Sequence, residues 1–249
     1  MRSLQARTVV VCVAATVLLA AAGTSWAQET LTARLHATGM ARVSRGDVEL
    51  AMIELNAHGP GWQHAPQASA TADVGDLPDQ AGKRFVGTLP IPNTDGGGIQ
   101  YTESVKALPR GLRLEYDLGM AGAMRLNGLQ VSICLPVARY AGKELVASQP
   151  QGEPQLLGFP QEQQERTFQV WAGQGAKIEV AKGTDEAVTI ELRAATDVVI
   201  QDLRRWDRPV FEIRFPAIME DQGRDVAAED KFHLDLTVTF AAPVKLEGP

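Results

Sequence analysis

Across residues 110–146 apolar and polar side chains alternate with period two, and this constrains the fold more than any other stretch. Leu112, Leu114, Tyr116 and Leu118 alternate with Arg113, Glu115 and Asp117. Successive side chains of an extended strand point to opposite faces, so this pattern makes a strand with one buried face. Next, Met124 and Leu126 hold one face, but beyond Asn127-Gly128 the apolar set moves to Leu129, Val131, Ile133 and Leu135. A slip of one residue would turn the core face to water. A bulge is therefore expected at Asn127-Gly128, where glycine permits the backbone angles. Joined through residues 119–123, the two strands are expected to pair as an antiparallel hairpin. Leu118 then meets Met124, Tyr116 meets Leu126, Asp117 meets Arg125 and Leu114 meets Leu129.

Almost every other periodic segment is strand-like, with turn signals every 8–12 residues or so. Only the run V-A-R-Y-A-G after Pro136, residues 137–142, reads as a helical turn. Residues 56–66 and 150–165 read as loops from their Gly, Pro and Gln content, and 217–230 as a charged loop. In 210–215, Phe211, Ile213 and Phe215 face a core while Glu212 and Arg214 face outward. About a dozen or more strands with almost no helix imply an all-β protein, a single antiparallel two-sheet β-sandwich. No fixed-period repeat or linker divides it, so residues 28–249 are expected to be one domain.

Residues 1–27 read as a signal peptide: Arg2 and Arg7, an apolar run over 9–22, then Ser25-Trp26-Ala27 as cleavage site. That run is shorter than the roughly 20 residues a membrane helix needs. The expected location is extracytoplasmic, periplasmic or secreted, after cleavage near Ala27, without membrane insertion. The chain carries a net charge of −6 and no cluster of Lys and Arg, which argues against a nucleic-acid partner. Cleavage would leave Cys134 as the one cysteine and exclude an intrachain disulfide. The fold then rests on its apolar core.

The runs L-R-L-E-Y-D-L, L-N-G-L-Q-V-S-I-C-L-P and Y-A-G-K resemble strands of large β-sandwich domains in secreted carbohydrate-active proteins, including the galactose-mutarotase-like group. The resemblance implies a supersandwich fold with a sugar-facing sheet surface. The catalytic His and Glu of that group find no matching motif here.

His58 and His64 flank Gly59-Pro60-Gly61-Trp62 and could bind a metal or line a sugar site. No third ligand follows in a recognisable pattern, so no metal is expected. His233 beside Asp235 could act as a general base, although such pairs more often decorate a polar sheet face. Glu115 and Asp117, two apart on one strand face, would hold carboxylates roughly 7 Å apart, between the separations used by retaining and inverting glycosidases. An ordinary cross-strand charge pattern explains them as well. The chain has no G-x-S-x-G, H-E-x-x-H, P-loop or dinucleotide fingerprint, and no cofactor is expected. Cys134 faces away from the apolar set, toward a second layer or a covering loop.

Trp62, Trp171 and Trp206 sit at loop or strand ends among Gly, Asp and Arg, a composition suited to stacking on pyranose rings. The bland alternative is that each plugs the rim of the fold. With Arg113 and Glu115 on the polar sheet face, these residues are the expected ligand contacts. The reading is an exported protein that binds or accompanies a glycan without catalysis. Its first alternative is a small carbohydrate-active enzyme, an epimerase or lyase, using His58, His64 or His233 with Glu115. Its second is a structural or assembly module of the cell envelope.

Overall fold

The computed structural model describes residues 29–249; the leader expected over residues 1–27 lies outside them. The described residues form sixteen strands. They are β1 (Leu31–Leu35), β2 (Ala41–Arg45), β3 (Val48–Gly59), β4 (Gln63–Pro66), β5 (Thr71–Asp76), β6 (Gly82–Pro90), β7 (Gly98–Leu108) and β8 (Gly111–Met120). After these come β9 (Met124–Pro136), β10 (Glu144–Ser148), β11 (Gln155–Gly158), β12 (Gln169–Val180), β13 (Val188–Asp202), β14 (Val210–Val226), β15 (Lys231–Phe240) and β16 (Val244–Glu247). Apart from 3-10 turns, the one helix among the described residues is the expected turn, Val137–Tyr140.

The protein is all-β, but its strands do not divide cleanly into two sheets. One hydrogen-bonded path runs β16-β1-β2-β3-β9-β14-β13-β15-β8-β7-β6-β5 and curls into a half-barrel, with β4, β10, β11 and β12 branching from it. The long strand β13 shows how a single path turns the corner. Residues near its C-terminal end, Val199 to Asp202, pair with β14, whereas Val188 to Leu192 pair with β15. A twisted strand that changes partner along its length carries the sheet from one layer into the next.

The expected β8–β9 hairpin is not formed. β8 lies between β7 and β15, and β9 lies between β3 and β14. Asp117 therefore sits opposite Thr102 and His233, and Leu114 opposite Val105 and Leu236, while Arg125 forms its ion pair with Asp225. Alternation selects the face a side chain takes. It does not select the neighbouring strand, because backbone donors and acceptors are the same in every pairing. The faces themselves are as expected: Leu112, Leu114, Tyr116, Leu118, Leu129, Val131, Ile133 and Leu135 are all buried.

The irregularity at Asn127-Gly128 is real, with its extra residues on the partner strand. Gly128 pairs with Met219 and Leu126 with Arg224, so residues 220–223 of β14 loop out opposite Asn127 alone. A second register shift lies between Pro216 and Ile218. The charged loop expected over 217–230 is thus mostly strand, since β14 continues to Val226. Likewise residues 56–66 are largely the hairpin of β3 and β4, and β11 interrupts the loop expected over 150–165.

Candidate functional site

Four adjacent strands, β3, β9, β14 and β13, carry a second face opposite the apolar core. On β3 Glu54, Asn56 and His58 alternate with core residues Ile53, Leu55 and Ala57; on β9 Gln130, Ser132 and Cys134 alternate with Leu129, Val131, Ile133 and Leu135. On β14 Glu212 and Arg214 alternate with Phe211, Ile213 and Phe215. Registration lines these polar residues up across the sheet. Ser132 lies opposite Glu54 and Arg214, Gln130 opposite Asn56, and Glu212 opposite Cys134 and Gln201.

The polar face is itself buried. Glu54, Asn56, Gln130, Ser132, Gln201 and Glu212 are each at most 4% exposed. Part of the cost of burying them is offset by internal bonds. Ser132 Oγ donates to Glu212 Oε1 at 2.7 Å and Arg214 Nε to Glu212 Oε2 at 2.6 Å, while His64 Nε2 and Asn56 Oδ1 are 2.8 Å apart. Arg208 approaches Glu54 at 3.6 Å, an ion pair without a hydrogen bond. Four buried atoms here find no protein partner: Asn56 Nδ2, His58 Nδ1, Gln130 Nε2 and Gln201 Oε1. An unsatisfied buried polar atom costs about 1–3 kcal/mol, so a cluster of four on one sheet face points to a surface built for a polar ligand.

Over this face opens a cleft of about 550 Å³, lined by His58, Trp62, His64, Trp206, Arg208 and Arg214, with Gln201 on its floor. Two turns place its indoles. His58 and His64 are directly opposite across the β3–β4 hairpin, and their rings stack at 5.2 Å. The connecting turn Pro60–Trp62 puts both Gly61 and Trp62 in left-handed backbone, φ 72° and 60°. On the other side the turn Leu203–Trp206 is capped by Asp202, whose Oδ1 accepts from Arg204 N at 3.1 Å, and ends on left-handed Asp207. It leaves Trp206 half exposed and edge-on to Phe168 at 4.9 Å.

The electrostatics favour the neutral form of both imidazoles. Burial first, then His64, Arg214 and Arg208, pushes His58 down to about 3. Burial and Arg208 lower His64 as well, with Glu212 opposing them. Burial raises Glu54 above the ordinary carboxylate range against the pull of Asn56 and Arg208. Neutral imidazoles can accept a proton or a hydroxyl hydrogen bond, the guanidiniums donate, and the indoles offer flat apolar surfaces.

Of the residues singled out from the sequence, His58, His64, Trp62 and Trp206 meet in this cleft. Trp171 does not: it is 6% exposed, and its Nε1 donates to Gln155 Oε1 at 3.0 Å, the rim-plugging role. His233 lies elsewhere on the sheet, its Nδ1 2.8 Å from Asp117 Oδ1. Asp235, the expected partner of His233, instead binds Arg113 at 2.7 Å and Arg193 at 3.2 Å. Glu115, Asp117 and His233 bring one ligand atom each within 4.8 Å of one another, on β8 and β15, and none of them lines the cleft. Glu54, Gln201, Arg208, Glu212 and Arg214 were not legible as site residues. Their signal was a polar period-two set on strands whose other face is apolar.

No protein-family model matches the chain, and no curated protein sequence matches it. Among solved structures it is similar to a galactose mutarotase related enzyme from Lactobacillus acidophilus, with TM-score 0.50 and 10% identity over 85% of this chain and 95% of that one. It is also similar to a galactose mutarotase-like protein from Lactobacillus casei ATCC 334, with TM-score 0.53 and 12% identity over 82% of this chain and 95% of that one. At such identities the likeness is one of fold, the galactose-mutarotase-like fold that the strand motifs resemble.

Proposed function

We propose that the cleft between Trp62 and Trp206 binds a saccharide. The observation that carries this reading is that His58 and Gln201, each with an unpartnered buried atom on the polar sheet face, line one cleft together with two indoles. A sugar offers what such a site lacks: hydroxyls that both donate and accept, and C–H faces that stack on an indole. The fold likeness to galactose mutarotase-related proteins supports a sugar-related role. Export of the protein rests on the leader motif over residues 1–27. The envelope-module alternative is tied to convex faces without a pocket, and the cleft favours a ligand-binding role instead. Titration calorimetry with D-glucose, D-galactose and their oligosaccharides tests the reading. Heat that disappears in a Trp62→Ala, Trp206→Ala double variant is expected, and equal binding by that variant would sink it.

A second reading is favoured by one specific observation: burial favours the neutral form of His58 and His64 and raises Glu54, which lies on the same face of β3 as His58. A neutral imidazole and a protonated carboxyl on one polar sheet face can take a proton from one sugar oxygen and supply one to another, as interconversion of anomers requires. Polarimetry on freshly dissolved α-D-galactose decides it. An enzyme equilibrates the anomers faster than buffer does, and loses that advantage in His64→Ala.

A further inference from the structure

We infer that Asn127 is the positioning residue that ties the turn carrying Trp62 to the β14 excursion carrying Asp221, two segments that border the cleft. The consequence for ligand affinity rests on the saccharide reading; the geometry does not. Asn127 lies on β9, buried, at the one position that faces the four-residue excursion of β14. Its Oδ1 accepts from Gly61 N at 3.0 Å, in the turn that carries Trp62. Its Nδ2 donates to Glu220 O at 2.9 Å and Asp221 O at 2.8 Å, in the excursion that follows Met219. Both amide hydrogens and the amide oxygen are thus used, and they join two segments far apart in the chain, with cleft residues on each.

Trp62 needs such a tie because its left-handed backbone is one that a bulky residue adopts only where its surroundings enforce it. The bond from Gly61 N to Asn127 is the nearest enforcement. Gly128 completes the device by what it lacks. A Cβ there would stand 2.9 Å from His58 Nδ1 and 3.3 Å from the Trp62 ring, so only glycine lets the indole and imidazole settle onto the strand. The Asn-Gly pair thus ties the Trp62 turn to the β14 excursion with one side chain and admits the aromatic pair by the absence of the next.

Substitutions of Asn127 separate this role from simple stabilisation. Asn127→Asp keeps the acceptor for Gly61 N and loses both donors; Asn127→Ala loses everything. NMR on the full chain reads the two ties apart: amide exchange at Gly61 reports the first, and the carbonyl carbon shifts of Glu220 and Asp221, with exchange over the excursion they belong to, report the second. In Asn127→Ala, exchange should quicken about tenfold at Gly61 and at residues 220–223, with β3 and the rest of β9 unchanged. In Asn127→Asp, residues 220–223 should quicken while Gly61 stays protected. Affinity for D-galactose should fall about tenfold in both. If exchange changes nowhere, or quickens equally throughout β3, β9 and β14, the clamp is wrong. If exchange divides as stated but D-galactose binds none of the proteins, the clamp stands and the saccharide reading loses that ligand.

Discussion

The indole of Trp62 stands edge-on to the imidazole of His58, with ring centroids 5.3 Å apart and planes at 65°, and His58 stacks in turn on His64. This run of three rings makes one wall of the cleft a continuous aromatic surface anchored on a β-hairpin. Trp171, in an equally suggestive sequence context, is instead a buried plug. The two tryptophans should therefore respond oppositely to truncation. Trp62→Ala should weaken saccharide binding about tenfold, as loss of one stacking surface does, with little change in stability. Trp171→Ala should lower stability by about 3–5 kcal/mol and leave the affinity of the folded fraction intact. Calorimetry together with urea unfolding checks both.

His233 and Glu115 provide a control. They sit with Asp117 on β15 and β8, outside the cleft. His233→Ala and Glu115→Gln should bind saccharide as the parent protein does, within error. A clear loss of binding in either would move the site to β8 and β15.

The pH dependence of stability should show two opposed contributions. Glu103 on β7 is fully buried, accepting from Tyr116 Oη at 2.8 Å and Gln67 Nε2 at 2.5 Å, and burial pushes it up to about 7. Its native form holds a proton that the unfolded chain releases near 4.5, so this contribution is full below 4.5 and is lost as pH rises to about 7. His58 runs the other way. Its unfolded form takes a proton below 6.5 that the native form refuses until about 3, so stability falls as pH drops through that range. Each slope is at most about 1.4 kcal/mol per pH unit. Urea unfolding from pH 4.5 to 6.5 should show His58→Gln losing stability with rising pH relative to the parent, and Glu103→Gln gaining it. Parallel curves for all three proteins would refute the assignment.

The core face of β8 should behave as a packed interior. Leu114 is wholly buried between Val105 and Leu236 on the neighbouring strands, and Leu114→Ala should cost about 2–5 kcal/mol. A cost under about 0.5 kcal/mol, typical of a surface position, would contradict the burial.

Which side of each strand meets the core was legible because alternation is a local property, written into neighbouring residues. Leu112 to Leu118 on β8 and Phe211 to Phe215 on β14 are buried where their spacing requires. Asn127-Gly128 marked the right place for an irregularity for the same reason. Which strands lie side by side was not legible: β8 and β9, consecutive in the chain, have other partners. Glu212 and Arg214 were read as outward and are outward from the core, yet Glu212 is buried on the polar face and Arg214 lines a cleft.

Sequence alone determined an all-β chain and the division of its residues between a core side and a polar side, because side-chain direction alternates along any extended backbone. Tertiary structure decided that four polar sides would be laid next to one another and roofed by turns carrying Trp62 and Trp206. Main-chain hydrogen bonds are indifferent to partner, so that choice falls to long-range packing between residues as distant as Asn127 and Gly61.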